Sequence, residues 1–257
     1  MNFADIPDWP RRYFSKPAEG AGPFVYYVVF GPLDGGFEIS ATRYRCTGIP
    51  AGVRISSYSQ LAYPMALDSF REHFLGEVLR ESDPELAALV KAQTHCLLVQ
   101  GPIEDGPTLN DFRNVIGLVT YLMDSGGVAV CDLQAMKWRS REQWRQEIFE
   151  PANPEPAAQT TIWMARDGEN SIWMHTRGMR KFGRPDLSLR RVTPGYRDAV
   201  DELFKRLIGF QVQGGIVAEG QEIHMKGLPR GMRCHTRGGI DDIEFNNIHI
   251  DIEWPKY

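Results

Sequence analysis

The sequence predicts an α+β fold, with helices layered on a mixed, largely antiparallel sheet. One observation is a hairpin signal: two strand-like segments flank the turn sequence Asp-Gly-Glu-Asn at residues 167–170. A second is the spacing of apolar residues along several segments, which is helical and clearest between residues 109 and 123. Strand-like and helix-like segments are mixed throughout the chain, and this mixture favours the α+β class.

The first 150 residues predict an antiparallel meander followed by a strand–helix–strand unit. Phe24–Phe30 is almost wholly apolar, as expected for a strand buried on both faces, and residues 34–36, Asp-Gly-Gly, predict a turn after it. Thr108 and Asp111 predict a capping box at the start of the clearest helix. The predicted strands are 24–30, 37–44, 53–58, 94–100 and 128–131, and the predicted helices are 65–79, 84–92, 108–123 and one that begins at Ser140.

A segment rich in proline and alanine, 150–159, is the predicted linker. It divides the chain into an N-terminal α+β half, 1–150, and a C-terminal α+β half, 160–257, which could also form one continuous domain. Thr193 followed by Pro194 predicts a helix start, and Gly209 predicts its end. The predicted strands of the C-terminal half are 161–166, 171–175, 187–192, 222–226, 232–236 and 248–254.

Residues 173–189 contain more constrained positions than any other stretch of the chain. Two glycines, a proline and four basic residues lie there between two predicted strands, which indicates a tightly prescribed, positively charged loop. The pattern of residues 175–187, His-Thr-x-Gly-Met-x-x-Phe-Gly-x-Pro-Asp-Leu, resembles the signature of a bacterial family of unknown function. The resemblance implies an intracellular bacterial protein, since some members of such families look associated with toxin immunity or stress, and it brings no catalytic residues.

Charge and composition narrow the possible partners. The net charge of -4 makes nucleic acid an unlikely main partner, because phosphate binding depends on clustered basic residues. The sequence contains no apolar run of the ~20 residues that a membrane span requires and no basic, apolar leader, so we expect a cytoplasmic protein with no membrane association. The four cysteines are scattered and predict buried free thiols.

Two groups of residues are candidates for binding. The first is the basic loop, whose arginines can hold phosphate or carboxylate, together with the histidine that precedes them: His175, Arg177, Arg180 and Arg184. The alternative is that Arg177 or Arg184 fastens the loop by pairing with Asp186 or a nearby acid. The second group is the acidic pair Asp241 and Asp242, which would suit a basic partner such as the nucleic-acid groove of a nuclease toxin or could be a solvated face.

The tetrapeptide His-Thr-Arg-Gly occurs twice, at 175–178 and at 235–238. The repeat could record a duplication or could be a chance match, because the flanking residues differ. Two histidines at neighbouring strand ends could also converge on a metal with Cys234 and the acidic pair, but no recognised metal or catalytic motif accompanies them. We therefore predict no catalytic residue, metal or cofactor.

The leading functional prediction is a non-enzymatic cytoplasmic protein that binds another protein, such as a bacterial toxin that it neutralises. Both the family resemblance and the lack of a catalytic set favour it. The alternative is a small-molecule or nucleotide enzyme that uses His175 and the arginine loop at 177–191. The sequence does not indicate the oligomeric state.

Overall fold

The computed structural model describes residues 6–17, 22–32 and 38–255. The chain forms two compact units. The first consists of the N-terminal segment up to Trp9, Phe24–Ile103 and Leu109–Glu155, and the second of Pro10–Pro23, Glu104–Thr108 and the chain from Pro156 onward. Each unit has a largely antiparallel five-stranded sheet with helices, so the predicted α+β class is confirmed.

The sheet of the first unit has the order β2-β3-β1-β4-β5, and all of its neighbouring strands are antiparallel. Its strands are β1 Phe24–Phe30, β2 Arg54–Ser59, β3 His95–Pro102, β4 Ala129–Asp132 and β5 Lys137–Ser140. The predicted meander is wrong, because the apolar strand β1 lies at the centre of the sheet between β3 and β4. Strands β3 and β4 both run antiparallel to β1, so the predicted strand–helix–strand unit joins two parallel strands across it.

The helices of the first unit are α1 Ala41–Tyr44, α2 Pro64–Arg71, α3 His73–Ser82, α4 Pro84–Lys91, α5 Asn110–Asp124 and α6 Arg141–Trp144, the last followed by a π-helical turn, Arg145–Phe149. Where a returning strand was predicted at 37–44, Ser40 caps helix α1, and the predicted turn at 34–36 lies outside the described residues. The predicted helix 65–79 is broken at Glu72 into two helices. The predicted capping box is wrong, because Leu109 is the residue that precedes α5.

The sheet of the second unit has the order β6-β7-β8-β10-β9, and only β8 and β10 are a parallel pair. Its strands are β6 Thr161–Arg166, β7 Ile172–Arg177, β8 Asp186–Val192, β9 Arg233–Gly239 and β10 Asn247–Glu253, and its α-helices are α7 Pro156–Gln159 and α8 Arg197–Val212. Helix α8 does not end at Gly209 as predicted. The predicted strand at 222–226 is wrong, since the described residues there form only the isolated bridge between Glu222 and Arg233.

In the described part of the chain, no helix combines the length and apolar character that crossing a membrane requires.

Candidate functional site

Asp186 anchors the loop between β7 and β8. It is buried and accepts hydrogen bonds from Thr176 Oγ1 at 2.9 Å, Asn247 Nδ2 at 2.7 Å and the Met179 amide at 3.3 Å. Thr176 Oγ1 in turn accepts a hydrogen bond from the Leu187 amide at 2.8 Å. Burial raises the pKa of Asp186 to about 6, although these hydrogen bonds favour the ionised form. Hydrogen bonds between the two ends of the signature therefore fix the shape of the loop.

The rest of the loop is folded into the second unit. Residues Met179–Phe182 form a 3₁₀ turn between Gly178 and Gly183, both with positive φ. Phe182 and Lys181 are fully buried, and Lys181 Nζ donates to the carbonyl of Gln159 at 2.7 Å. A Cβ at Gly183 would lie 2.9 Å from the ring of Pro23, so glycine is required there for space as well as for backbone conformation. The loop does not present Lys181 to solvent, although its sequence indicated a positively charged surface.

Arg184 lies in a buried ion cluster with Arg11 and Asp105. The Asp105 carboxylate is 2.6 Å from Arg11 Nη1 and 3.2 Å from Arg184 Nη1, and both arginine side chains are almost completely buried. Backbone carbonyls take up further donors of each guanidinium group, including those of Phe182 and Gly214. Burial and the neighbouring Arg184 charge lower the pKa of Arg11 to about 10. Arg184 thus fastens the loop to a nearby acid, one of the two alternatives that the sequence left open.

Arg180 contacts the connection between β9 and β10. Its Nη1 lies 3.2 Å from the carbonyl oxygen of Asn246 and 3.4 Å from the Asn246 side-chain oxygen. Asn246 has a positive φ of 51°, an uncommon conformation for a residue other than glycine. Arg180 therefore supports the last bend of that connection before β10 begins.

His175 and Arg177 belong to a group of five side chains that we call the aromatic cluster. His175 stacks on Trp173 with ring centroids 3.9 Å apart, and Phe245 stacks on His249 at 4.2 Å. Phe245 also approaches His175 edge-on at 5.8 Å, and the Arg177 guanidinium lies 4.5 Å from the Phe245 ring centroid. The cluster joins β7 and β10 to residue 245 of the β9–β10 connection.

The electrostatics of the cluster keep its first histidine neutral. His175 is 7% exposed, and burial, with the charges of Arg177 and Arg190, lowers its pKa to about 3. Burial lowers the pKa of His249 as well, but Asp242, Asp251 and Glu244 oppose that shift. His175 is thus an uncharged, stacked side chain at neutral pH, which is a poor position for a general acid that must reach a substrate.

The β9–β10 connection carries the acidic residues predicted from the sequence. We call residues 240–244, Ile-Asp-Asp-Ile-Glu, the acidic loop. Asp241 is exposed, whereas Asp242 is a backbone cap whose Oδ1 accepts hydrogen bonds from the Glu244 amide at 2.8 Å and the Phe245 amide at 3.0 Å. Glu244 accepts two hydrogen bonds from Arg190, at 3.1 and 3.2 Å. The guanidinium of Arg190 lies 3.9 Å from the ring centroid of Trp173, so the loop is tied to the strand that carries the signature.

Two isoleucines of the acidic loop were not predicted as functional residues. Ile243 is fully exposed and Ile240 is 52% exposed, while the neighbouring Phe245 is buried. The sequence feature that could have indicated them is the acidic pair 241–242 with an isoleucine on each side. Of the predicted binding residues, His175, Arg177 and Asp242 lie together around Phe245, and Asp241 faces solvent. Arg180 and Arg184 instead hold the loop in place through Asn246 and Asp105.

The second His-Thr-Arg-Gly copy does not complete a site with the first. His175 pairs with Ser188, Ser188 with Asp251, and Asp251 with His235, so the two histidines lie in one row but three strand spacings apart, roughly 14 Å. His235 Nδ1 lies 2.8 Å from a Glu219 carboxylate oxygen at the edge of the sheet. Within the described residues, no group of three or more His, Cys, Asp or Glu side chains could hold a metal ion.

Comparison with models of known protein families gave no match, and comparisons with curated proteins and with solved structures gave no significant match either. The family resemblance of the signature segment therefore stays a prediction.

Proposed function

We propose that this chain is a non-enzymatic protein that binds another protein through its acidic loop, and that the partner is a basic protein such as a bacterial toxin. The observation that carries the proposal is the full exposure of Ile243 among acidic side chains on an ordered loop. A cytoplasmic location is part of the same proposal.

The order of the loop favours binding. Hydrogen bonds to both the side chain and the backbone of Asp242 fix its turn, with the Asp242 amide 3.0 Å from the Gly239 carbonyl and the Asn246 amide 2.6 Å from the Asp242 carbonyl. Phe245 anchors the end of the loop in the aromatic cluster. Because the loop is ordered before association, little conformational entropy is lost when a partner binds, and more of the contact energy contributes to affinity.

The chemistry of the loop defines the partner. Ile240 and Ile243 can enter apolar depressions on a partner, while Asp241 and Glu244 lie beside them and can meet basic side chains at the rim. A basic surface with apolar depressions is a feature of proteins that bind nucleic acid, which is why a nuclease-type toxin fits the proposal. The enzymatic alternative has less support, because His175 is buried and Arg184 is enclosed by carbonyl oxygens and a carboxylate.

The test compares three forms of the purified chain as bait for proteins from the same cells. The wild type and the control variant Ile216→Ser, a change at a partly exposed isoleucine of the same unit, should both retain one basic partner, encoded by a neighbouring gene. Ile243→Ser should retain much less, with at least a roughly tenfold weaker Kd for the isolated partner. Binding should also weaken as salt rises.

If the partner is a toxin, co-expression of the wild-type chain should restore growth, and co-expression of Ile243→Ser should not. Retention of the same partner by Ile243→Ser, or failure of the wild type to retain any, would contradict the proposal.

A further inference from the structure

The acidic loop and Phe245 cover the face of the second unit's sheet that carries the signature. On this face the Glu244 carboxylate takes two hydrogen bonds from Arg190, and the flat ring of Phe245 stacks on His249 and contacts Arg177. The chain's own segment thus places an anion and an aromatic ring side by side on a surface of arginine, histidine and tryptophan. Such a surface suits a ligand that combines the same two groups.

Three buried nitrogens around Phe245 have no hydrogen-bond partner among the described residues: His175 Nδ1, Arg177 Nη1 and His249 Nδ1. His175 and Arg177 are more than nine-tenths buried, and His249 Nδ1 is 3.6 Å from the nearest Asp242 oxygen, beyond hydrogen-bond distance. Buried donors and acceptors are normally satisfied, and those that are not point to a ligand or an ordered water. Phe245 fills the space between these nitrogens without offering any of them a polar atom.

Arg190 is accessible without a change in the fold. Its side chain is 42% exposed, and it lines a cleft of about 230 Å³ together with Arg191, Trp254 and three acidic residues, Asp167, Asp251 and Glu253. The Glu244 carboxylate, itself half-exposed, has to leave for another anion to take its place, while the Asp167 carboxylate stays 3.6 Å from Arg190 Nη1. Gly238 and Asn246 both have positive φ; Gly238 lies within β9, where it pairs with Ile248, and Asn246 is the last residue before β10.

We propose that the sheet face beneath Phe245 is a binding site for a nucleoside monophosphate. The base replaces the Phe245 ring against His249, and the phosphate replaces the Glu244 carboxylate at Arg190, within reach of Arg177. The edge of the base and the phosphate oxygens supply partners for His175 Nδ1 and Arg177 Nη1, whereas a base stacked on His249 does not reach the in-plane nitrogen of that ring. The site involves the same loop as the proposed protein partner, but nucleotide binding is measured on the purified chain without that partner.

The test is calorimetric titration of the purified chain with AMP, GMP and UMP at constant ionic strength, with the fluorescence of its six tryptophans, of which Trp173 lies at the site, as a second signal. We expect saturable binding of at least one nucleotide by the wild type. Glu244→Ala should bind it roughly tenfold more tightly, because an intramolecular competitor for Arg190 is gone. Since Glu244 is exposed, this variant should remain folded.

Arg177→Met should lose the binding, whereas Arg237→Ala, the same position in the second His-Thr-Arg-Gly copy, should bind as the wild type does. Circular dichroism and melting curves establish that each variant is folded. Ribose 5-phosphate and adenosine are the ligand controls, and each should bind much more weakly than the nucleotide.

Absence of binding to both the wild type and Glu244→Ala would overturn the proposal. So would binding of ribose 5-phosphate or of adenosine as tight as that of the nucleotide, or binding that a folded Arg177→Met retains. The pull-down experiment tests a protein partner separately, with Ile243→Ser as its variant, so failure of one proposal can be distinguished from failure of the other.

Discussion

The two His-Thr-Arg-Gly copies have the same four residues and opposite environments. In the first copy, on the interior strand β7, Thr176 is bonded to Asp186, and His175 and Arg177 are buried around Phe245. In the second copy, on the edge strand β9, His235 is half-buried and both Thr236 and Arg237 are exposed. The chemistry available to a short motif therefore depends on which strand carries it and on what covers that strand.

The register of the sheet also bears on the possibility of a duplication. A duplication would place β7 on β9 and β8 on β10. Because the strand order is β7-β8-β10-β9 and β8 and β10 are parallel, the rotation that does this runs about an axis along the strands and exchanges the two faces of the sheet. Equivalent residues would then face opposite sides. His175 and His235 lie in the same row, however, so their side chains face the same side. The two copies are not related by that rotation, and this geometry favours the chance match.

The largest effect that separates the copies should come from Asp186→Ala. This change leaves Thr176, Asn247 and the Met179 amide without their buried acceptor and Arg177 without a nearby anion, so we expect a loss of roughly 3–4 kcal/mol in the free energy of unfolding. Urea denaturation measures it. The control is Asp241→Ala, at an exposed acid, which should change stability by no more than about 0.5 kcal/mol. Equal effects of the two changes would show that Asp186 does not anchor the loop.

The pH dependence of stability should show that His175 and Asp186, both in or next to the first copy, have opposite effects that cancel. The folded-state pKa of His175 is about 3, below its unfolded value of 6.5. The contribution of His175 to the free energy of unfolding is therefore complete above pH 6.5 and is lost as the pH falls toward 3. The folded-state pKa of Asp186 is about 6, above its unfolded value of 3.8. The loss of stability caused by burying its ionised carboxylate is therefore complete above pH 6 and is relieved as the pH falls to 3.8. The two slopes cancel between about pH 4 and 6.

Each group can be isolated by a variant that removes the other. Relative to the wild type, Asp186→Asn should lose on the order of 3 kcal/mol of stability between pH 6.5 and pH 4, because only the His175 slope remains. His175→Phe keeps a flat ring on Trp173 and should gain stability over the same acidification. Melting temperatures measured as a function of pH check both. Parallel curves for the wild type and the two variants would contradict the assigned directions of the pKa shifts.

The two threonines provide a matched pair with a smaller expected effect. Thr176→Val removes a hydroxyl that both donates to Asp186 and accepts from the Leu187 amide, and it should cost about 2 kcal/mol. Thr236→Val, the same substitution in the second copy, should stay within about 0.5 kcal/mol of the wild type. Denaturation curves of the two variants test the difference, and a loss at Thr236 as large as the loss at Thr176 would contradict it.

These contrasts also show how far the sequence could predict the structure. The strand Phe24–Phe30, the hairpin of β6 and β7 and the helix α5 were predictable, because apolar spacing and turn residues are local signals. The central position of β1 was not, because strand pairing depends on partners distant in the chain. The same limit applies to the candidate site: nothing in the residues near Arg184 indicated Asp105 as its acid, and nothing near His175 indicated that Phe245 would approach its ring.

The smallest expected effect is that of Arg237→Ala, which removes the arginine of the exposed copy. The only hydrogen bond that the described residues give its guanidinium is the one to the carbonyl of Thr236 at 2.9 Å, so its loss should change the free energy of unfolding by no more than about 0.5 kcal/mol. Arg177→Met should cost more, because Arg177 packs on Phe245 and lies near the charge of Asp186. Urea denaturation of both variants measures the two losses. Equal losses would mean that the packing of Phe245 on Arg177 adds nothing to the stability of the protein. The two copies would then differ only in how far their side chains are exposed.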